Sequence, residues 1–328
     1  MLWNPCGMIR TKPAVDDAFI QTLAALKDIL NHCTLCPRQC NVNRRAGETG
    51  FCRLSDRLLL DSAMAHHGEE PPLSGTGGAG TIFLSSCNLH CCYCQNHQIS
   101  HTAKGEFLTT EGMARVMLDL QRQECHNIDL VTPTPQLPGI VEALGIARAR
   151  GLTIPFVYNC GGYESPDIIA VLEGMVDIYL PDFKYGLEEE GRALSGVDEY
   201  PRYASEAIRE MVRQVGDGLE MDHGVAKKGV LIRHLILPGK IDNSMAVLDL
   251  IKRHISLSVP LSLMSQYTPM PNVRRHPDLG RRLTHTEYQR VIDYALDLGF
   301  ENIFAQEVDE RSYAPNFERD APFQWDKP

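Results

Sequence analysis

Thr81-Ile82-Phe83-Leu84, followed within three residues by Cys87-Asn88-Leu89-His90-Cys91-Cys92-Tyr93-Cys94, decides how the rest of the chain is read. The first four residues are a β-branched, apolar run that reads as a strand. Taking Cys87, Cys91 and Cys94 gives C-x3-C-x2-C, three thiolates at that strand's carboxyl end. Soft thiolates suit iron–sulfur clusters or zinc. Three ligands leave one iron of a four-iron cluster without a protein thiolate, and an open site means reactivity, whereas four ligands mean storage or electron transfer. A structural zinc site with a distant fourth ligand is the alternative reading of the same three residues.

Outward from this stretch the pattern is regular. Further short strands are expected at 128–132, 154–158, 176–180, 230–237 and 261–264, with one more at 302–306. Helices are expected near 111–124, 138–150, 166–174, 203–215, 242–254 and 285–299. This alternation predicts parallel βα units, six or seven of them, with ligands gathered at the carboxyl ends of the strands. Periodicity alone leaves a partly closed barrel and an open sheet equally available. Upstream, 15–31 reads as an amphipathic helix with Phe19, Leu23, Leu26 and Leu30 on one face, and 58–67 as a strand. Gly75-Thr76-Gly77-Gly78-Ala79-Gly80 has the letters of a dinucleotide fingerprint, but it leads into a strand instead of a helix, so the phosphate-binding mechanism does not apply.

The chain has 328 residues, 43% of them hydrophobic, enough for one large domain with an appendage. Its 32 basic and 42 acidic residues give a net charge of −10, so general nucleic-acid binding is not expected, and only a local basic patch would allow it. No apolar run reaches the roughly 18 residues of a membrane span. The opening Met1-Leu2-Trp3-Asn4-Pro5-Cys6 lacks the basic and apolar regions of a signal peptide, so a cytoplasmic location is expected. In a reducing compartment, clustered thiols hold metal more readily than they form disulfides. Eight of the eleven cysteines are clustered, while Cys6, Cys125 and Cys160 stand alone and read as packing residues. The second cluster is Cys33, Cys36, Cys40 and Cys52, spaced C-x2-C-x3-C-x11-C. It suits a tetrahedral zinc, a fully ligated iron–sulfur cluster, or thiols that hold nothing. A leader over 1–65 and a core over 66–328 are the expected divisions.

The three-cysteine spacing, its place after the first core strand and the aromatic Tyr93 resemble the radical S-adenosylmethionine (SAM) superfamily. More narrowly, the chain resembles proteins related to the pyruvate formate-lyase activating enzyme. Gly68-Glu69-Glu70-Pro71-Pro72-Leu73-Ser74-Gly75, Cys94-Gln95-Asn96-His97, Val176-Asp177-Ile178-Tyr179-Leu180-Pro181-Asp182-Phe183-Lys184 and Arg233-His234-Leu235-Ile236-Leu237-Pro238-Gly239 carry that likeness, which covers roughly residues 33–306. A similar cysteine-rich leader occurs in some of those relatives.

The resemblance implies an α/β fold with a partial (βα)6-type parallel barrel. It implies that Cys87, Cys91 and Cys94 hold a [4Fe–4S] cluster whose fourth iron binds SAM, and that Cys92 is not a ligand. Tyr93 is expected near the adenine. Relatives carry a Gly-Gly-Glu-like segment after the second strand, where this chain has Thr132-Pro133-Thr134-Pro135; Thr132 and Thr134 are the expected substitutes, on a backbone kept extended by the prolines. Asn159 is expected at ribose or carboxylate, Lys184 at the cofactor carboxylate, and Asp182 at hydroxyls or substrate. Arg233, inside an apolar strand, demands a carboxylate partner, from cofactor or protein. Gln266 and Tyr267 are candidate substrate-side residues. The implied function is SAM cleavage and hydrogen abstraction, from a protein partner as in glycyl-radical activases, with a reducing partner such as flavodoxin or ferredoxin. Modification of a small molecule or peptide is the alternative, and a non-catalytic iron–sulfur or zinc protein the third. The lack of cysteines after residue 160 implies no carboxyl-terminal auxiliary-cluster domain, and little room remains for a cobalamin domain.

Overall fold

The computed structural model describes residues 17–309, 314–319 and 321–323. Cys6 and the opening residues lie outside the described residues, as do the first positions of the helix expected from residue 15.

The chain enters on α1 (Asp17–Ile29) and crosses a cysteine-rich segment to β1 (Leu58–His66), the short α2 (Pro71–Ser74) and β2 (Ala79–Leu84). After the cluster loop come α3 (His97–Ser100), β3 (Glu106–Leu108), α4 (Thr110–Arg122), β4 (Ile128–Val131), α5 (Leu137–Ala149), β5 (Phe156–Cys160), α6 (Pro166–Val171) and β6 (Ile178–Pro181). The second half holds α7 (Glu188–Ser195), α8 (Tyr200–Val215), β7 (Leu219–Asp222), β8 (Val225–Val230), β9 (Ile232–Leu235), α9 (Ile241–His254), β10 (Leu261–Met264), α10 (His285–Leu298) and β11 (Ile303–Ala305).

Eight strands form one sheet in the order β3-β1-β2-β4-β5-β6-β8-β7, and three form another in the order β11-β10-β9. β2, β4, β5 and β6 run parallel and are buried along nearly their whole length, which is why their sequences are mainly apolar, with buried Thr81, Asp129 and Asn159 the polar exceptions. A parallel bridge between Asp182 and Arg233 carries the order from β6 across to β9 of the second sheet. Residues of β2, β4, β5, β9, β10 and β11, with those just past β6, line one cleft, so the parallel run bends around it. The architecture is mixed α/β with a mainly parallel core.

The expected strand 230–237 is two strands. β8 pairs with β6 through Gly229 and Val230, Leu231 breaks the ladder, and β9 pairs with β10. Gly229 permits the switch: its φ is 131°, and a Cβ there would collide with the Gly218 carbonyl. The β7–β8 hairpin, β3 and α7 went unforeseen. The expected division at residue 65 falls inside β1, which pairs antiparallel with β2 and so anchors the leader to the core sheet. No helix among the described residues is long and apolar enough to cross a membrane.

Candidate cofactor cleft and thiol sites

The loop after β2 turns sharply because Ser86 and His90 adopt left-handed φ angles of 73° and 57°, uncommon for residues other than glycine. Ser86 is held by its N–H to the Ile99 carbonyl (2.9 Å) and by its hydroxyl to the Cys52 carbonyl of the leader. The turn aims Cys87, Cys91 and Cys94 into a cleft of about 690 Å3, while Cys92 is not among its lining residues. Each of the three sulfurs meets a polar neighbour: the Leu89 N–H at Cys87 (3.3 Å), the Ser195 hydroxyl at Cys91 (3.0 Å) and the Ser100 hydroxyl at Cys94 (3.2 Å). Burial, then the neighbouring Cys91, pushes the Cys87 thiol up to about 12 and the Cys94 thiol up to about 11. A bound metal reverses that penalty by displacing the protons. Three soft donors on one wall, each already hydrogen-bonded, fit an iron–sulfur cluster. Among the described residues no three Cys, His, Asp or Glu side chains converge as ligands of a single ion do; a cube, which takes each thiolate on a separate iron, requires no such convergence.

The strand ends supply the opposite wall. Arg233 of β9 is the centre of its charge network: Nε donates to Asp182 (2.8 Å), Nη1 to Glu69 (3.2 Å) and Nη2 to Asn159 Oδ1 (2.6 Å), with Glu70 3.8 Å away. The carboxylate partner that the sequence demanded is therefore supplied by the protein. Burial opposes the guanidinium charge, but Asp182, Glu70 and Glu69 outweigh it and hold its pKa above the ordinary value. Lys184 pairs with Asp182 inside the cleft, so this is a half-buried ion pair on the cleft wall. Burial alone would raise the Asp182 pKa; Arg233 and Lys184 hold it below the usual carboxylate range. Two cations facing four carboxyls leave Glu69 and Asp129 raised, by burial first. Gly162, just past β5, has a φ of 79°, and a side chain there would strike the Asp182 carbonyl, so glycine is what lets the two strand exits come this close.

Thr132 also lines the cleft, at a left-handed φ of 59° fixed by its N–H to the Asn159 carbonyl (2.8 Å). The extended backbone expected at Thr132 and Thr134 is thus corrected. Instead of running on, the chain folds into a 3-10 turn over Thr134–Gln136. Thr134 donates to Glu164 (2.7 Å), shares a hydrogen bond with Tyr158 (2.9 Å), and borders the leader cavity. Its contacts show why it does not face the cleft: a buried carboxyl holds it from the other side. Tyr93 lines the cleft floor beside Tyr185 and Tyr267. Gln266 reaches the cleft, but Tyr267 is buried and donates to the Leu279 carbonyl (2.7 Å). Cys125 is a buried core residue, and Cys160, also buried, borders the cleft.

Cys33, Cys36, Cys40 and Cys52 line one separate cavity with Arg38, Arg44 and Phe51. Burial pushes the Cys36 thiol up to about 12. Between this cavity and the cleft lies Glu164, unexposed and raised to about 8 by burial, against the hydrogen bonds of Thr134 and Tyr158. The sequence reading missed Glu164, Glu69, Glu70 and Asp129 as site residues. Glu69-Glu70 sits in a quoted resemblance stretch, and only its proximity to Arg233 reveals its role.

Residues 73–152 match the family model described as a 4Fe-4S single cluster domain, so a 4Fe–4S cluster domain is present and includes all three cleft thiols. The chain is 31% identical over 287 residues to the uncharacterized protein MJ0674 of Methanocaldococcus jannaschii, covering 83% of this chain and 78% of that one. Among solved structures, methylornithine synthase (PylB) aligns over 92% of this chain and 82% of its own, at 13% identity and TM-score 0.47. SuiB of Streptococcus suis bound to SAM aligns over 68% of this chain at 10% identity and TM-score 0.43; the alignment spans about half of SuiB, 48%.

Proposed function

The chain belongs to the family of MJ0674, and on that premise we propose that it is a radical SAM enzyme, with the partial (βα)6 barrel of that kind. One observation carries the reading: Cys87, Cys91 and Cys94, at the exit of β2, line the same cleft as Thr132, Asn159, Asp182 and Lys184 at the carboxyl ends of β4, β5 and β6 and Arg233 near the start of β9. Cys87, Cys91 and Cys94 would hold a [4Fe–4S] cluster, which would supply one-electron reductive cleavage of SAM and, through it, hydrogen abstraction from a substrate. The chain's own residues place and shield that chemistry. SAM brings an ammonium, a sulfonium and a carboxylate, and the cleft offers both signs of charge. Lys184, near the Cys91 and Cys94 thiols, suits the carboxylate. Thr132, whose left-handed turn exposes backbone at the β4 exit, replaces the missing glutamate at the ammonium. Asn159, held by Arg233, suits ribose or carboxylate, while Asp182 is kept ionised by two cations. Tyr93 and the apolar floor exclude water from the adenine side.

The substrate we assign is a protein, in the manner of glycyl-radical activases, with flavodoxin or ferredoxin as electron donor. The likeness to activating enzymes around Cys94–His97, Asp182–Lys184 and Arg233–Gly239 supports it. A small-molecule or peptide substrate is favoured by a different observation: Pro315 and Phe323 of the carboxyl-terminal segment border the cleft, and Phe317 and Phe323 pack on Phe83, which narrows the approach for a folded partner.

Anaerobically reconstituted protein, reduced and given SAM, is expected to release methionine and 5′-deoxyadenosine. The Cys87/Cys91/Cys94→Ala variant is expected to release neither. Formation of S-adenosylhomocysteine alone would sink the proposal. A panel of glycyl-radical enzymes, read by electron paramagnetic resonance for a glycine-centred radical, separates the two substrate readings.

A further inference from the structure

The leader lies outside the matched cluster domain of residues 73–152, yet it is folded around its thiols. Cys33 N–H donates to the Val42 carbonyl (3.0 Å) and Asn41 N–H to the Cys33 carbonyl (3.0 Å), while Gln39, Asn41 and Arg53 take left-handed φ angles of 41°, 55° and 58°. Gly50 admits no side chain, because a Cβ there would lie 2.7 Å from Cys40 Sγ. The Phe51 N–H points at Cys40 Sγ (3.4 Å). These constraints bring Cys52 across eleven intervening residues to the same cavity as Cys33, Cys36 and Cys40.

The charge around the cavity is out of balance. Arg44 is 2% exposed; its guanidinium donates to the carbonyls of Leu54 (3.0 Å), Ser55 (2.6 Å) and Pro135 (2.6 Å), and Nη1 lies 3.8 Å from Cys33 Sγ. Arg38 donates to the carbonyls of Asn88 (2.6 Å) and Ser195 (3.2 Å), and its guanidinium lies 3.3 Å over the Phe51 ring. Among the described residues neither arginine has a carboxylate within ion-pair distance. Arg44 is a buried cation and Arg38 a half-buried one; such charges without an anion are costly, most of all for Arg44, and protonated thiols supply none. A [4Fe–4S] core of charge 2+ on four thiolates carries two negative charges, which two guanidinium groups match.

The arrangement of the sulfurs favours a cluster over a single ion. Among the described residues no three Cys, His, Asp or Glu side chains converge as the ligands of one ion do, and the four leader thiols instead border a cavity of about 20 Å3. A cube takes each thiolate on a separate iron and needs no such convergence. We propose that Cys33, Cys36, Cys40 and Cys52 hold a second [4Fe–4S] cluster that serves as a one-electron centre. Four protein ligands leave no iron open, so it binds no substrate. Its core goes from 2+ to 1+ on taking one electron from a low-potential flavin or iron–sulfur carrier, and returns to 2+ on giving it up, with no bond broken.

The test is iron and sulfide content of the full chain carrying Cys87/Cys91/Cys94→Ala, reconstituted anaerobically. Four irons and four sulfides are expected to remain, with a paramagnetic resonance signal after dithionite reduction. Further change of Cys33 and Cys36 to serine is expected to remove both. Native mass of the reconstituted wild-type chain, which needs no substitution, is expected to show two clusters. One cluster in the wild-type chain and none in the triple variant overturns the proposal, as does zinc in place of iron in the triple variant. The reverse pattern, a leader cluster but none at Cys87, Cys91 and Cys94, overturns the function proposed above and leaves this inference standing.

Discussion

The leader cavity and the strand-end cleft both gather thiols, but they balance charge in opposite ways. In the cleft every cation has a carboxylate: Arg233 has Asp182, Glu69 and Glu70, and Lys184 has Asp182. In the leader, Arg38 and Arg44 have backbone carbonyls, a ring and a thiol. A site that is internally paired retains its shape when empty and can exchange a diffusible ligand. A site whose cations lack anions gains most from a permanent anionic occupant. The contrast separates a turnover site from a resident centre, by electrostatics alone.

The largest expected effect tests whether the cleft is balanced by its own side chains. Arg233→Met strands Glu69 and leaves Asp182 with Lys184 alone, and breaking a buried pair costs about 3–5 kcal/mol. Chemical denaturation is expected to show this loss with and without metal; a loss seen only in the loaded chain would move Arg233 into the leader's class. Next, Lys184→Met leaves Asp182 still paired with Arg233. The fold is expected to hold while SAM affinity falls about 10- to 100-fold, some 1.4–2.8 kcal/mol, by equilibrium binding to the reconstituted protein. Unchanged affinity would leave Lys184 a purely structural partner of Asp182.

Glu164 probes the wall between the two sites. Its folded pKa, about 8, exceeds that of the unfolded chain, so the folded state binds the extra proton between the ordinary carboxylate range and pH 8. Its contribution to stability therefore falls as pH rises through that window, by about 1.4 kcal/mol per pH unit at most for one proton. Glu164→Gln is expected to flatten that slope in melting curves of the metal-free chain, and an unaltered slope would place the titration elsewhere. The smallest effect belongs to Cys92→Ala. Cys92 does not line the cleft, so SAM cleavage is expected to persist, with a stability change of under about 1 kcal/mol. Loss of the cluster in this variant would enlarge the ligand set.

Apolar runs flanked by helical periodicity located β2, β4, β5, β6 and β10 to within a few residues, because strands buried on both faces have few alternatives; β11, only part-buried, was located by the helix before it. Cys87, Cys91 and Cys94 were legible for a similar reason: eight residues cannot spread three thiols far. Thr134 was misread because its direction depends on the left-handed turn at Thr132 and on Glu164, thirty residues away in sequence. The β8–β9 break was invisible for want of a local signal, since Val230-Leu231-Ile232 reads as one strand and only the Gly229–Gly218 contact interrupts it. The partners of Arg233 lie 51 and 164 positions away, a distance no local pattern spans.

Arg38 belongs to the leader by sequence, yet its guanidinium holds the Asn88 and Leu89 carbonyls, immediately after Cys87. One side chain thus shares its rigidity between two thiol-bearing loops. Thermodynamic linkage makes such sharing symmetric. Whatever factor a filled leader contributes to the cleft's hold on its metal, a filled cleft returns to the leader unchanged, and Arg38→Gln should lower both by the same ratio.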